Sequence, residues 1–122
     1  MIKKQSEHIL QKQIVALLRK NGIDTVGCDV MSGLMFAGGD INKRYAFISH
    51  QKAIGATKGQ PDLILLLKDG ETLLVELKNG KQGSQTLEQK MFQERCVKIG
   101  HNYVVWRKFE DAVDFIKGYR NI

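Results

Sequence analysis

The chain carries one proline, one tryptophan and two cysteines among 122 residues, and its apolar runs are all short. Cys28 and Cys96 stand alone, without metal-ligand spacing, and read as buried thiols. No apolar run approaches the roughly 20 residues needed to span a bilayer. The N-terminal stretch MIKKQSEH has no hydrophobic signal core, so a cytoplasmic, intracellular protein is expected. Also absent are a glycine-rich phosphate loop, HExxH, GxSxG and CxxC, which removes the commonest competing chemistries.

What is present is an ordinary globular balance, 43% hydrophobic and 26% charged, in a length that suits one domain over residues 1–122 with a single core. A net charge of +6 suits a polyanionic partner.

The stretch Gly59 to Lys78, GQPDLILLLKDGETLLVELK, organises the rest. Pro61 cannot donate to a sheet ladder and suits the start of a strand. Asp62 follows it, then the apolar run Leu63 to Leu67, a Lys68-Asp69-Gly70 turn, and a second run ending in Glu76-Leu77-Lys78. Strand alternation puts Glu76 and Lys78 on one face. Whether Asp62 joins them depends on the turn. A two-residue Asp69-Gly70 loop pairs Ile64 with Val75 and sends Asp62 to the opposite face. A three-residue loop with Gly70 left-handed pairs Asp62 with Glu76. In that register two facing carboxylates repel unless a cation lies between them, and oxygen ligands favour a hard ion such as Mg2+ or Mn2+.

Elsewhere, Ser6 reads as the N-cap of a helix running to about Lys20 and stopped by Gly22, with Leu10, Ile14, Leu17 and Leu18 as its buried stripe. Glu7 lies on that stripe, either as a first-turn acid favoured by the helix dipole or as a residue aimed at the strand-end acids. Ile23 to Met31 reads as the first strand. Between it and Gly59, a long stretch holds a short strand at Tyr45 to Ser49 and the basic residues Lys43, Arg44, His50, Lys52 and Lys58. These are either solvated surface charge or phosphate contacts. His50, a lone histidine in that stretch, is either a ligand or base or, as is commoner, neither. Thr86 and Gln89 have capping-box spacing for a helix ending near Gly100. Tyr103 to Trp106 forms the last strand, and Phe109, Val113 and Ile116 mark a closing amphipathic helix.

Pro61-Asp62, a hairpin-length gap and Glu76-Leu77-Lys78 together resemble the PD-(D/E)XK nuclease signature. Gly59-Gln60-Pro61-Asp62-Leu63 resembles the GxPD(L/I) form of the VRR-NUC family within it. At the position of the family's Val-Arg-Arg triplet stands Val105-Trp106-Arg107, with tryptophan in place of the middle arginine. The resemblance implies an α/β, restriction-endonuclease-like αβββαβ core, a mixed sheet flanked by helices. It implies that Asp62 and Glu76 hold Mg2+ or Mn2+ with the Leu77 carbonyl, and that Glu7 joins the metal set. Lys78 would orient and help deprotonate the attacking water, and Gln89 would lie near the site. The implied protein is a metal-dependent, structure-selective DNA endonuclease. As a stand-alone domain it is expected to be a homodimer that cuts branched DNA at four-way (Holliday) junctions, gripped by Lys43, Arg44, Lys52, Lys58, Lys81 and Arg107. The apolar stretch Met31 to Phe36 is either the dimer surface or core. Two alternatives remain: a flap or nicking nuclease of DNA repair or replication, and a non-catalytic DNA-binding module with the same fold. The module would dispense with one of Asp62, Glu76 or Lys78, and all three are present.

Overall fold

The computed structural model describes residues 2–28, 39–55, 57, 59–80 and 84–120, with side chains from Glu7 onward. Helix α1 (Ile2–Lys20) buries Leu10, Ile14 and Leu18 at successive turns of one face. Its end follows the sequence: the Gly22 N–H donates to the Arg19 carbonyl and the Ile23 N–H to the Leu18 carbonyl, both at 3.0 Å. Its start does not. The helix begins at Ile2, one turn before the expected cap, so Ser6 lies inside it.

Strand β1 (Asp24–Gly27) is shorter than the expected Ile23–Met31; Met31 lies outside the described residues. The stretch expected to hold a strand at Tyr45–Ser49 is instead a helix, α2 (Ile41–Ala53). The physical reason is local. Asp40 accepts the Lys43 N–H at 3.1 Å as a helix cap, and the following residues contain neither glycine nor proline. None of the α2 side chains is buried, so no alternating strand face was needed to satisfy a core. The element order therefore has one helix, α2, beyond the expected αβββαβ core and its closing helix.

Strands β2 (Leu63–Leu66) and β3 (Thr72–Leu77) form an antiparallel hairpin with Leu63 opposite Val75 and Leu65 opposite Leu73. This is the three-residue-loop register. Leu67 donates to the Glu71 carbonyl at 2.8 Å, closing the turn Lys68–Gly70. Gly70 is left-handed, φ 75°, as that register requires, and Asp69 is too, φ 61°, a conformation that aspartate tolerates better than most residues.

The sheet order is β1-β2-β3-β4, with β4 (Asn102–Trp106) parallel to β3. A parallel neighbour needs a crossover, and helix α3 (Leu87–Lys98) supplies it. Alternation divides the sheet. Leu63, Leu65, Leu73, Val75, Leu77 and Trp106 form the main core with α1 and with helix α4 (Phe109–Arg120). The other face carries Leu74, Glu76 and Tyr103 and is covered by α3, where the Phe92 and Tyr103 rings lie 6.4 Å apart. Trp106, in place of the middle arginine of the family triplet, is buried in the main core 5.6 Å from Phe115. It anchors α4. No described helix is long and apolar enough to cross a membrane.

Candidate active site

The hairpin ladder ends with Leu63 opposite Val75, which brings Asp62, one residue earlier, to the Glu76–Leu77 end of β3. Asp62 closes the end of the ladder. Its carbonyl accepts the Cys28 N–H at 2.8 Å, its N–H donates to Val75 at 3.0 Å, and its Oδ2 accepts the Leu77 N–H at 2.7 Å. Burial raises the Asp62 pKa above the ordinary carboxylate range. The Leu77 N–H opposes that shift, the Glu76 charge adds to it, Lys78 opposes it and Glu7 adds to it. The expected set Glu7, Asp62, Glu76 and Lys78 thus shares one electrostatic neighbourhood. Because α1 starts at Ile2, Glu7 stands beyond the first turn, where the dipole effect fades, and that explanation of its identity loses force.

Glu76 is fully buried. Its Oε1 accepts the Tyr103 hydroxyl at 2.9 Å and, more weakly, Gln85 Nε2 at 3.4 Å. Its Oε2 is buried with no hydrogen-bond partner. An unsatisfied buried acceptor of this kind costs about 1–3 kcal/mol, more when charged. A cation is the natural partner. Among the described residues no three His, Cys, Asp or Glu side chains gather into a metal cage. The available donors are two carboxylates and main-chain carbonyls, an oxygen set that suits Mg2+ or Mn2+, which keep several waters, and suits zinc poorly. The residues fit the ion that the fold implies.

Gln89, expected near the site, serves the helix start. Its side-chain oxygen accepts the Thr86 N–H at 2.9 Å while its N–H donates to Thr86 Oγ1 at 3.1 Å, a complete capping box. It is Gln85, four residues earlier, that reaches Glu76, with its Nε2 also donating to Gln93 at 2.8 Å. No spacing rule marks Gln85, which precedes the helix. Tyr103 comes to Glu76 only through the pairing of β4 with β3, whose parallel register with Leu74 puts it on the Glu76 face. Accordingly, Gln89→Ala is expected to lower stability by about 0.5–2 kcal/mol and to leave turnover unchanged. Urea unfolding beside a cleavage time course checks this.

Burial and then the Glu76 hydrogen bond push the Tyr103 pKa up, so the phenol remains a donor. Burial and the Asp62 charge raise the Cys28 pKa, so this half-buried residue is a thiol and a poor nucleophile. Lys43, Arg44, His50 and Lys52 are exposed on α2. Lys58 and Lys81 lie outside the described residues, as does the stretch Met31 to Phe36. Arg107 Nη1 donates to the Gly80 carbonyl at 3.1 Å, tying the end of β4 to the turn that follows Lys78.

No family model and no curated protein matches the chain. Solved structures do. One described as a VRR_NUC domain aligns over 93% of this chain and 97% of its own, with a TM-score of 0.65 and 21% identity. Another, a VRR_NUC domain protein, aligns over 61% of this chain and 62% of its own, with a TM-score of 0.52 and 26% identity. The chain has the fold of these VRR_NUC domains, and in it Pro61-Asp62 and Glu76-Leu77-Lys78 come together at neighbouring strand ends.

Proposed function

We propose that the chain is a divalent-metal-dependent endodeoxyribonuclease that hydrolyses phosphodiester bonds. The observation that carries the reading is the fully buried Glu76 with an unpartnered Oε2, close enough for its charge to act on Asp62 and two residues before Lys78. A stable fold gains nothing from such a group, whereas a cation site needs it.

Asp62, Glu76 and the Leu77 carbonyl would hold Mg2+ or Mn2+, with Glu7 completing the acidic set. When bound, the ion supplies Lewis-acid polarisation of the scissile phosphate. Lys78 orients the attacking water, helps remove its proton and offsets charge on the phosphorane-like transition state. The exposed cations of α2 contact phosphates and position the duplex.

The substrate in this reading is branched DNA. A small domain offers little area for reading DNA beyond its active site. A two-fold homodimer doubles the footprint and presents two sites to opposite strands of a four-way junction. Strong salt dependence of binding is expected from phosphate neutralisation. The test is incubation with four-way junction, flap and linear DNAs in Mg2+, Mn2+ or EDTA, with sedimentation of the free protein. Cleavage that ignores EDTA, or no cleavage of any DNA, removes the metal-nuclease reading. A monomer that cuts flaps and spares junctions removes only the junction assignment.

Glu7→Gln keeps the shape of the side chain and removes its charge. It is expected to slow cleavage while thermal stability stays near wild type, since Glu7 lies past the first turn of α1. A small stability loss with unchanged cleavage would restore the dipole explanation.

A further inference from the structure

Glu76 is the only buried charged side chain among the described residues, and its two oxygens are treated differently. Oε1 faces donors from two elements, Tyr103 on β4 at 2.9 Å and Gln85 before α3 at 3.4 Å. Oε2 faces none. Neither donor belongs to the Asp62, Glu76 and Lys78 set.

Each donor is itself held. The Tyr103 ring is buried and lies against Phe92 of α3, 6.4 Å between centroids, so the hydroxyl approaches Glu76 from a fixed direction. Gln85 is braced by Gln93, nearly two turns into α3, at 2.8 Å. A carboxylate on a strand otherwise swivels about its own bonds, and an ion-binding oxygen that swivels binds weakly. Hydrogen bonds from such outer partners fix ligand orientation, and their loss typically costs 10–100-fold in metal affinity or activity.

Building on the metal reading above, we propose that Tyr103 and Gln85 are positioning residues. They occupy Glu76 Oε1 and thereby fix the carboxylate with Oε2 as the oxygen left for the cation. Tyr103 is the principal donor, because its bond is shorter and wholly buried. Neither residue touches DNA or the reacting phosphate in this role. They act through Glu76.

The experiment is Mn2+ titration of the protein without DNA, following free Mn2+ by electron paramagnetic resonance, for wild type, Tyr103→Phe and Gln85→Ala. Phenylalanine keeps the ring contact with Phe92 and removes only the hydroxyl. Tyr103→Phe is expected to weaken Mn2+ binding by about 10–100-fold, and Gln85→Ala to weaken it in the same direction by less. The Mn2+ concentration for half-maximal cleavage should rise in step, with most of the rate recovered at saturating Mn2+. A purely structural role for Tyr103 would lower stability without moving either Mn2+ reading. Wild-type Mn2+ affinity in a folded Tyr103→Phe protein overturns the proposal. If that variant does not fold, Gln85→Ala, outside the core, decides it: unchanged Mn2+ affinity there overturns the proposal too. A wild-type protein that takes up no Mn2+ removes the metal reading itself, and this role with it.

Discussion

Lys78→Ala is expected to abolish DNA cleavage while leaving DNA binding close to wild type. Lys78 follows the last residue of β3, and its main chain is fixed by the Lys78 N–H bond to the Trp106 carbonyl at 3.0 Å. Its backbone position therefore survives truncation. What is lost is one half-buried ammonium beside Asp62 and Glu76. Groups that stabilise a transition state or move its proton contribute about 10²–10⁴-fold in rate, and one cation among the many of a +6 chain contributes little to affinity. Single-turnover cleavage with a parallel binding titration separates the two effects. Near-wild-type cutting by the variant would show that another residue activates the water.

The same substitution has an electrostatic signature in the free protein. The folded-state pKa of Asp62 is raised, so the stability linked to its neutral form is fully present below the unfolded-state pKa and is lost as pH rises through the folded value. Lys78 opposes that rise. Removing it moves the folded value further up and deepens the loss at neutral pH, where Asp62 must ionise without its nearby cation. Urea unfolding at mildly acidic and neutral pH should show a larger penalty at neutral pH, and added Mg2+ should reduce it.

Most of what positions the site was legible in the sequence because it is local. Apolar alternation and turn chemistry narrow the hairpin to two registers, and the structure has the three-residue turn, which brings Asp62 to the Glu76 end of β3. The Thr86 and Gln89 spacing gave the α3 start for the same reason. The misses are of two kinds. Helix α2 departs from the expected loop and short strand because a surface helix with no buried residue has no core-facing stripe, and only the Asp40 cap marks its start. Tyr103 and Gln85 were missed because their partner is a residue far away in sequence, reached only when β4 pairs with β3 and α3 closes over the sheet. At Gln89 the family resemblance implies a place near the site, and the Thr86 capping box engages its side chain at the helix start.

The largest stability effect is expected at Gly59, the first residue of the Gly-x-Pro-Asp segment. Its φ is +82°, and a Cβ there would lie 2.2 Å from the carbonyl oxygen of Glu88 and 2.8 Å from the Gln89 nitrogen. Both are backbone atoms in the first turn of α3, so no rotamer change relieves the clash. Gly59→Ala thus combines a left-handed backbone, about 1–3 kcal/mol, with overpacking of about 1–3 kcal/mol. The way out is for the loop and the helix start to part. The loop leads directly into Pro61-Asp62, and α3 carries Phe92 and Gln93, which brace the two donors to Glu76. Separation therefore pulls Asp62 and the Glu76 supports in different directions, and cleavage should fall further than stability alone predicts. Gly70→Ala is the control. Its φ is +75° with nothing within 4 Å of a Cβ, and it sits in the turn at the far end of the hairpin from Asp62. It should show the backbone penalty alone and cut DNA at the wild-type rate. Equal stability losses at the two glycines, with cleavage intact in both, would mean that the contact between Gly59 and α3 does not hold the site together.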